Sequence, residues 1–309
     1  MISLQKGKII MYSVKTKVFT FFLTFVMAFS LLPALNSNAA SNKCGDNATY
    51  TLDSNGVLTL NGSGDVYDFV LSKDQNGYSK LNTPWFSSMS KIKKVVVGDG
   101  ITRIGNHAFD CCYNLKEVVF SSKGNLKSIG VEAFYDCNAL ESINFPAGLV
   151  SIGKAAFYSC GALKTVTFPA SLKTIAAFAF CRCDLRKVYL PAGVVTIGEQ
   201  AFRSNYNLVK CTGGAGLQTI GVWAFAHCSK LSNFVITSKK LKKISQGAFV
   251  CCFKLKNVYI KNTTKLTKKG VKGSLYLSSV KKVKVKKSKV KKYRKYFTRR
   301  NSGKSVKVK

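Results

Sequence analysis

The stretch Ile129-Gly130-Val131-Glu132-Ala133-Phe134-Tyr135-Asp136-Cys137-Asn138-Ala139-Leu140 decides the fold, because the chain returns to its pattern at near-constant spacing. Its Ala-Phe pair recurs at Ala108-Phe109, Ala156-Phe157, Ala179-Phe180, Ala201-Phe202, Ala224-Phe225 and Ala248-Phe249. The isoleucine ahead of the pair falls at Ile104, Ile129, Ile152, Ile175, Ile197, Ile220 and Ile244, at intervals of 25, 23, 23, 22, 23 and 24 residues. Self-similarity of this kind marks an array of stacked units.

After Leu140 the template continues as Leu-x-x-Val-x-Phe. Apolar residues at alternate positions are what a strand with one buried face requires. The glycine after each isoleucine marks a tight corner. The Ala-Phe stretch reads as a short helical or 3-10 turn whose phenylalanine fills the interior. No unit buries its apolar face alone, so each must stack on its neighbours. The strands then run parallel, about 4.8 Å apart, as one curved ribbon. Ile92 to Val97 and Val280 to Val285 repeat the strand segment, the first a period upstream and the second a period downstream. With the seven between them, nine stacked strands are expected, the outer two belonging to caps.

The pattern in residues 129–140 resembles the BspA-like leucine-rich repeat, over roughly residues 90–265. The resemblance implies a repeat solenoid: a curved leucine-rich-repeat ribbon of parallel β-strands and short turns, capped at both ends. It also implies a bacterial surface or secreted protein that binds host matrix, other bacteria or epithelial cells. Departures are local. Ala176 and Ser245 replace the glycine, Asn205 the cysteine, and Gly213 the last apolar residue of the fifth unit, where an irregular coil is expected.

Four segments follow. Residues 1–40 read as an export signal: Lys6, Lys8, Lys15 and Lys17 precede an apolar run from Val18 to Leu35, and Ser37-Asn38-Ala39-Ala40 offers small residues for cleavage. Met11 is a second possible start. The run is long enough to span a bilayer, but Pro33 and the adjoining small residues favour cleavage, so no span is expected in the mature chain. Residues 41–100 read as a β-rich cap, with a hairpin turning at Asp53-Ser54-Asn55-Gly56 and with Trp85 and Phe86 as its lid. Residues 101–265 hold the seven repeats, of about 23 residues each. Residues 266–309 read as a degenerate repeat and a lysine-rich cap or tail. There Lys269 stands at an isoleucine position, so that coil must open to water, and Val290, Tyr293, Tyr296 and Phe297 form one stripe of a helix. Nothing at the C-terminus resembles a wall-sorting signal, and Cys44 lacks the residues that precede a lipidated cysteine.

The formal net charge is +36. Glu199 is the last acidic residue, and 29 lysines and arginines follow it. Such a field favours anionic partners. Catalytic chemistry is sparse. The two histidines, His107 and His227, fall on variable positions and read as ordinary surface residues, and the carboxylates are scattered. Cys112, Cys137, Cys160, Cys183, Cys228 and Cys252 share one template position and should stack as a column of buried thiols. No spacing suggests a zinc site. No enzyme, metal or cofactor is expected.

The function expected is that of a secreted or cell-surface binding and adhesion protein. Its recognition face lies on the residues flanking the central apolar position of the later strands: Lys187, Tyr189, Lys210, Thr212, Asn233, Val235, Asn257 and Tyr259. The partner expected there is a host or bacterial surface protein or glycan. Lys281, Lys282, Lys284, Lys286, Lys287, Lys291, Lys292, Arg294, Lys295, Arg299 and Arg300 form a polyanion-binding tail, with an anionic cell-wall polymer as its expected partner. The alternative is a binder of sulfated glycan or nucleic acid acting mainly through this tail. Lysine predominates there over the arginine that suits bidentate phosphate contact, which argues against nucleic acid.

Overall fold

The computed structural model describes residues 42–73, 79–260 and 263–309. The export segment at 1–40 lies outside the described residues. Asn47–Leu52 and Val57–Asp65 form an antiparallel hairpin with Leu52 opposite Leu58. Its turn is held by Asp53, whose carboxylate accepts from the N–H groups of Asn55 and Val57, both at 2.9 Å. Gly56 closes it at φ 84°, where a Cβ would meet the Lys91 carbonyl.

From this hairpin the chain winds into stacked coils that expose two β-faces. One is a row of short rungs, each ending in the template isoleucine, from Gly100–Ile104 through Ser128–Ile129, Ser151–Ile152, Thr174–Ile175, Thr196–Ile197 and Thr219–Ile220 to Lys243–Ile244. It is unbroken. The other carries the longer strands, and it is not the single continuous ribbon expected from the sequence. Glu117–Phe120 joins the first section, Ser142–Asn144 pairs only with Thr165–Thr167, and a third section runs from Lys187–Leu190 to Lys307–Val308. The two breaks fall at coil steps of 25 and 22 residues.

Between the two β-faces lies the Ala-Phe turn. In every coil two residues four apart take left-handed backbone: 107 and 111, 132 and 136, 155 and 159, 178 and 182, 200 and 204, 223 and 227, 247 and 251, 273 and 277. With the backbone so turned at both ends of this stretch, the N–H groups of every second residue point at the next coil. His107, Phe109 and Cys111 donate to the carbonyls of Val131, Ala133 and Tyr135 at 2.8–2.9 Å, and later coils repeat the arrangement. Left-handed residues cost about 1–3 kcal/mol each. Three inter-coil hydrogen bonds of about 1 kcal/mol each, with burial of the phenylalanine, offset this. Counted by these pairs there are eight coils, and the eighth keeps the turn although Ser274, Leu275 and Ser278 replace its Ala, Phe and Cys.

The core is a column of rings. Trp85, Phe109, Phe134, Phe157, Phe180, Phe202, Phe225 and Phe249 stack with centroids 5.1–6.1 Å apart and planes within 18°. Trp85 ends the column, 1% exposed, and its indole N–H donates to the Ala108 carbonyl at 2.8 Å. Phe86, expected to share that lid, instead lies on the surface at 36% exposure, because the 3-10 helix Phe86–Lys91 begins there and turns it outward. At the other end Tyr293 and Phe297 are buried beside Val308, and the Tyr293 hydroxyl donates to the Thr263 carbonyl at 3.2 Å. Lys269 is exposed. The left-handed pair Gly273 and Leu277 shows that Gly270, not Lys269, occupies the isoleucine position, and buried Val271 fills the interior beside it. Gly213 leaves the strand register intact, facing Leu190 and Ile236 on the adjacent strands. Only its φ of 107° departs from strand geometry.

Candidate functional site

The strand face forms because alternation sends every second side chain out of the coil. In-register pairing then assembles rows across coils. Lys187, Lys210 and Asn233 form one row, and Tyr189, Thr212, Val235, Tyr259 and Lys284 another. Lysine lies over both tyrosines of the second row, with Lys210 Nζ of the first row 5.3 Å from the Tyr189 ring and Lys284 Nζ 4.7 Å from the Tyr259 ring. Tyr189 is 55% exposed. Asn233, Val235, Asn257 and Tyr259 border a shallow depression of about 300 Å³.

The basic segment is folded rather than appended. Lys282 and Lys284 lie on the strand Lys282–Val285, and Lys307 pairs directly opposite Lys282. Lys281, Lys286 and Lys287 flank this strand; Lys291, Lys292 and Arg294 lie on the helix Val290–Arg294, followed by Lys295, and Arg299 and Arg300 open the helix Arg299–Ser302. All are exposed apart from half-buried Lys282 and Lys284. Lys307, with Lys282 and Lys284, pushes the Lys309 ammonium below the usual lysine range, as expected where like charges crowd. The five ion pairs among the described residues all involve residues 68 to 164, so no side-chain carboxylate offsets this surface. Tyr293 and Phe297 face the core and are not available to stack on a base.

Sequence reasoning missed the turn face. The left-handed residues and the residue after each phenylalanine project there, so the variable positions around Ala-Phe line up in columns. In the first two coils these hold His107, Asp110, Glu132 and Asp136. His107 is not an ordinary surface residue: its Nδ1 lies 3.0 Å from Asp110 and 3.6 Å from Glu132, and the Asp110 side chain is 4% exposed. Burial pushes the Asp110 carboxyl up, against the lowering effect of its contacts with His107 and Cys111. These three side chains bring ligand-type atoms within 4.8 Å of one another. The hydrogen bond from His107 to Asp110 accounts for the arrangement without a further partner. In coils four to six the same columns hold Arg182, Arg203 and His227, which line a polar depression of about 370 Å³, and Trp223, which lines an adjoining one. The signal available in the sequence was variation at otherwise periodic positions.

The cysteine column carries no nucleophile. Cys137, Cys160, Cys183, Cys228 and Cys252 each place Sγ 3.0–3.2 Å from the carbonyl oxygen of the preceding coil's phenylalanine. Asn205 fills the same place with an amide, its Nδ2 donating to the carbonyls of Phe180 at 2.8 Å and Phe202 at 2.9 Å. Burial raises the column thiols, Cys252 to about 12, so they are protonated at neutral pH. All eleven cysteines are free.

Stacked coils of this length, with a parallel strand and an aromatic turn in each, define a leucine-rich-repeat solenoid. The BspA-type leucine-rich-repeat region matches in six copies over residues 73–186 and 173–303. The chain belongs to that family. Among solved structures it is similar to a leucine-rich repeat protein of T. pallidum, with 25% identity, 69% of this chain and 90% of that one covered, and a TM-score of 0.40. It is similar to a leucine-rich repeat protein of Eubacterium ventriosum at 19% identity, covering 79% and 84%, with a TM-score of 0.33. The pneumococcal vaccine antigen PcpA aligns at 19% identity over 80% and 88%, with a TM-score of 0.38. No curated protein matches the chain.

Proposed function

We propose that this protein is an exported binding and adhesion module. Its strand face from Lys187 to Tyr259 is the recognition surface for a protein or glycan, and its cationic C-terminal cap attaches it to an anionic polymer of the cell wall. The observation that carries this reading is the cap's surface of lysine and arginine, with no acidic residue beyond Glu199 and no ion pair among its described residues. A folded protein that leaves so many cations uncompensated is strongly attracted to polyanions, in a manner that salt weakens. The lysines before Val18 and the small residues at 37–40 support export. Burial of Tyr293 and Phe297 disfavours the nucleic-acid alternative, because of the three rings that could stack on bases there only half-buried Tyr296 reaches the surface.

The cap belongs to the folded core, so the test uses charge substitution on the full chain rather than truncation. A variant with Lys281, Lys284, Lys291, Lys295, Arg299 and Arg300 changed to Gln is compared with the parent on a heparin matrix across a salt gradient. The parent is expected to elute at clearly higher salt. Co-elution would overturn the electrostatic role of the cap. Export predicts that the protein recovered outside the cell begins at Ser41, which N-terminal sequencing reads directly.

A further inference from the structure

The turn face of coils four to six carries two cations with no ion-pair partner among the described residues. Arg182 and Arg203 follow Cys181 and Phe202 in adjacent coils and line one depression of about 370 Å³, with His227 of the next coil on its far side. Neither arginine takes part in an ion pair among the described residues. Each is instead oriented by a neutral oxygen: Arg203 Nη1 donates to Gln200 Oε1 at 2.5 Å, and Arg182 Nη1 lies 3.4 Å from the Tyr158 hydroxyl. The Arg203 guanidinium also lies 5.7 Å from the Trp223 ring, which fixes its position beside the indole. Both arginines line the one cavity, and their planar donors suit carboxylate or sulfate oxygens.

The cavity does not end at the arginines. A second depression of about 250 Å³ adjoins it, sharing Arg203 and His227, and its floor is aromatic and apolar, with Trp223 and Tyr276. Trp223 is 40% exposed. Its ring has room because the next coil carries Gly247 at the equivalent left-handed position, where a Cβ would fall within 2.5 Å of the indole edge. An anion-binding end beside an open indole, with Tyr158 and Tyr206 lining the first depression and Tyr276 the second, matches a sugar ring that carries an acidic group: the ring lies against the aromatic floor and the charge meets the arginines.

We propose that the turn face between coils four and six is a binding site for an anionic sugar, a uronate or a sulfated saccharide. The carboxylate or sulfate lies between Arg182 and Arg203, and the pyranose ring lies against Trp223. The site is on a different face from the strand surface, and from residues 266–309 it takes Tyr276 and Leu277 but none of the cap's cations, so it stands whether or not those act as proposed above.

The chain has two tryptophans, and Trp85 is 1% exposed, so acrylamide quenching of the native protein reports Trp223. The full chain is titrated with glucuronic acid, N-acetylglucosamine 6-sulfate, glucose and inorganic sulfate, and protection from acrylamide is followed. At least one of the two acidic sugars is expected to protect at tenfold lower concentration than glucose or inorganic sulfate. Protection by glucuronic acid alone assigns carboxylated polymers; by the sulfated sugar alone, sulfated glycans. Arg182→Met, which does not touch the Trp223 ring, is expected to weaken protection at least tenfold while leaving the melting temperature unchanged. Arg182→Lys should restore some of it. Equal protection by inorganic sulfate or glucose overturns the assignment, as does the absence of protection by either acidic sugar or full protection in Arg182→Met.

Discussion

Asn205 interrupts the cysteine column, yet it does the column's work more strongly. Its amide donates to two phenylalanine carbonyls, and its oxygen accepts from the Leu185 N–H at 3.1 Å, all within the core. Asn205→Ala leaves the Phe180 carbonyl and the Leu185 N–H without these partners, the Phe202 carbonyl keeping the Cys228 thiol, and is expected to cost about 3 kcal/mol, whereas Asn205→Cys, which restores the column, should cost about half as much. Urea unfolding midpoints separate the two. Ser274 is the opposite case. It stands where the other coils have alanine, and its buried hydroxyl has no hydrogen-bond partner. Ser274→Ala should raise stability by about 1 kcal/mol, read from the same curves. The column thiols also set a pH dependence. Their folded-state values lie above the ordinary value of 9.0, so the folded chain holds protons that the unfolded chain releases. Their contribution is complete below that value and falls as pH rises through it, by up to about 1.4 kcal/mol per pH unit for each thiol. The midpoint should drop between about pH 8 and about pH 10.5, with a shallower slope in Cys160→Ala.

Among the elements, the two ends differ from the coils they close. Trp85 continues the ring column beyond Phe109, packed edge-on by Tyr50 at 5.0 Å and Phe69 at 5.5 Å. Trp85→Ala removes a fully buried ring and should cost about 3–5 kcal/mol. Phe86→Ala, at the neighbouring surface position, should cost under about 1 kcal/mol. Thermal melts of the two variants test this assignment of the lid. The pattern of the hairpin and the alternation of the strands were readable in the sequence because each is set by local geometry. The break in the longer-strand face was not. It depends on how coils of unequal length fall into register, which no single coil records.

For the whole molecule, each coil rests only on its neighbours, so stability propagates along the stack and the ends decide whether it holds. Residues 266–309 contribute Leu275, Val280, Val283, Tyr293 and Phe297 to the continuous core. A chain ending at residue 265 should therefore expose the apolar interior of the seventh coil, bind a hydrophobic dye and melt at least several degrees lower than the full chain. A truncated chain that melts like the full one would show that the last coil seals nothing. Charge divides along the same axis: acidic residues end at Glu199, so any field the protein presents strengthens toward its C-terminal cap.

The sequence by itself determined the period, the core residues, the thiol column and the uncompensated charge, because stacking demands the same apolar residue at the same place in every coil. It also placed the outward strand residues, since alternation needs no tertiary information. Only the tertiary structure decided the turn face. Residues a full coil apart, such as Arg182 and Arg203 or Trp223 and Gly247, become neighbours through left-handed backbone at two points per coil. That conformation is adopted by His, Glu, Arg, Phe and Trp alike, because inter-coil hydrogen bonds impose it, so no residue preference announces it in the sequence.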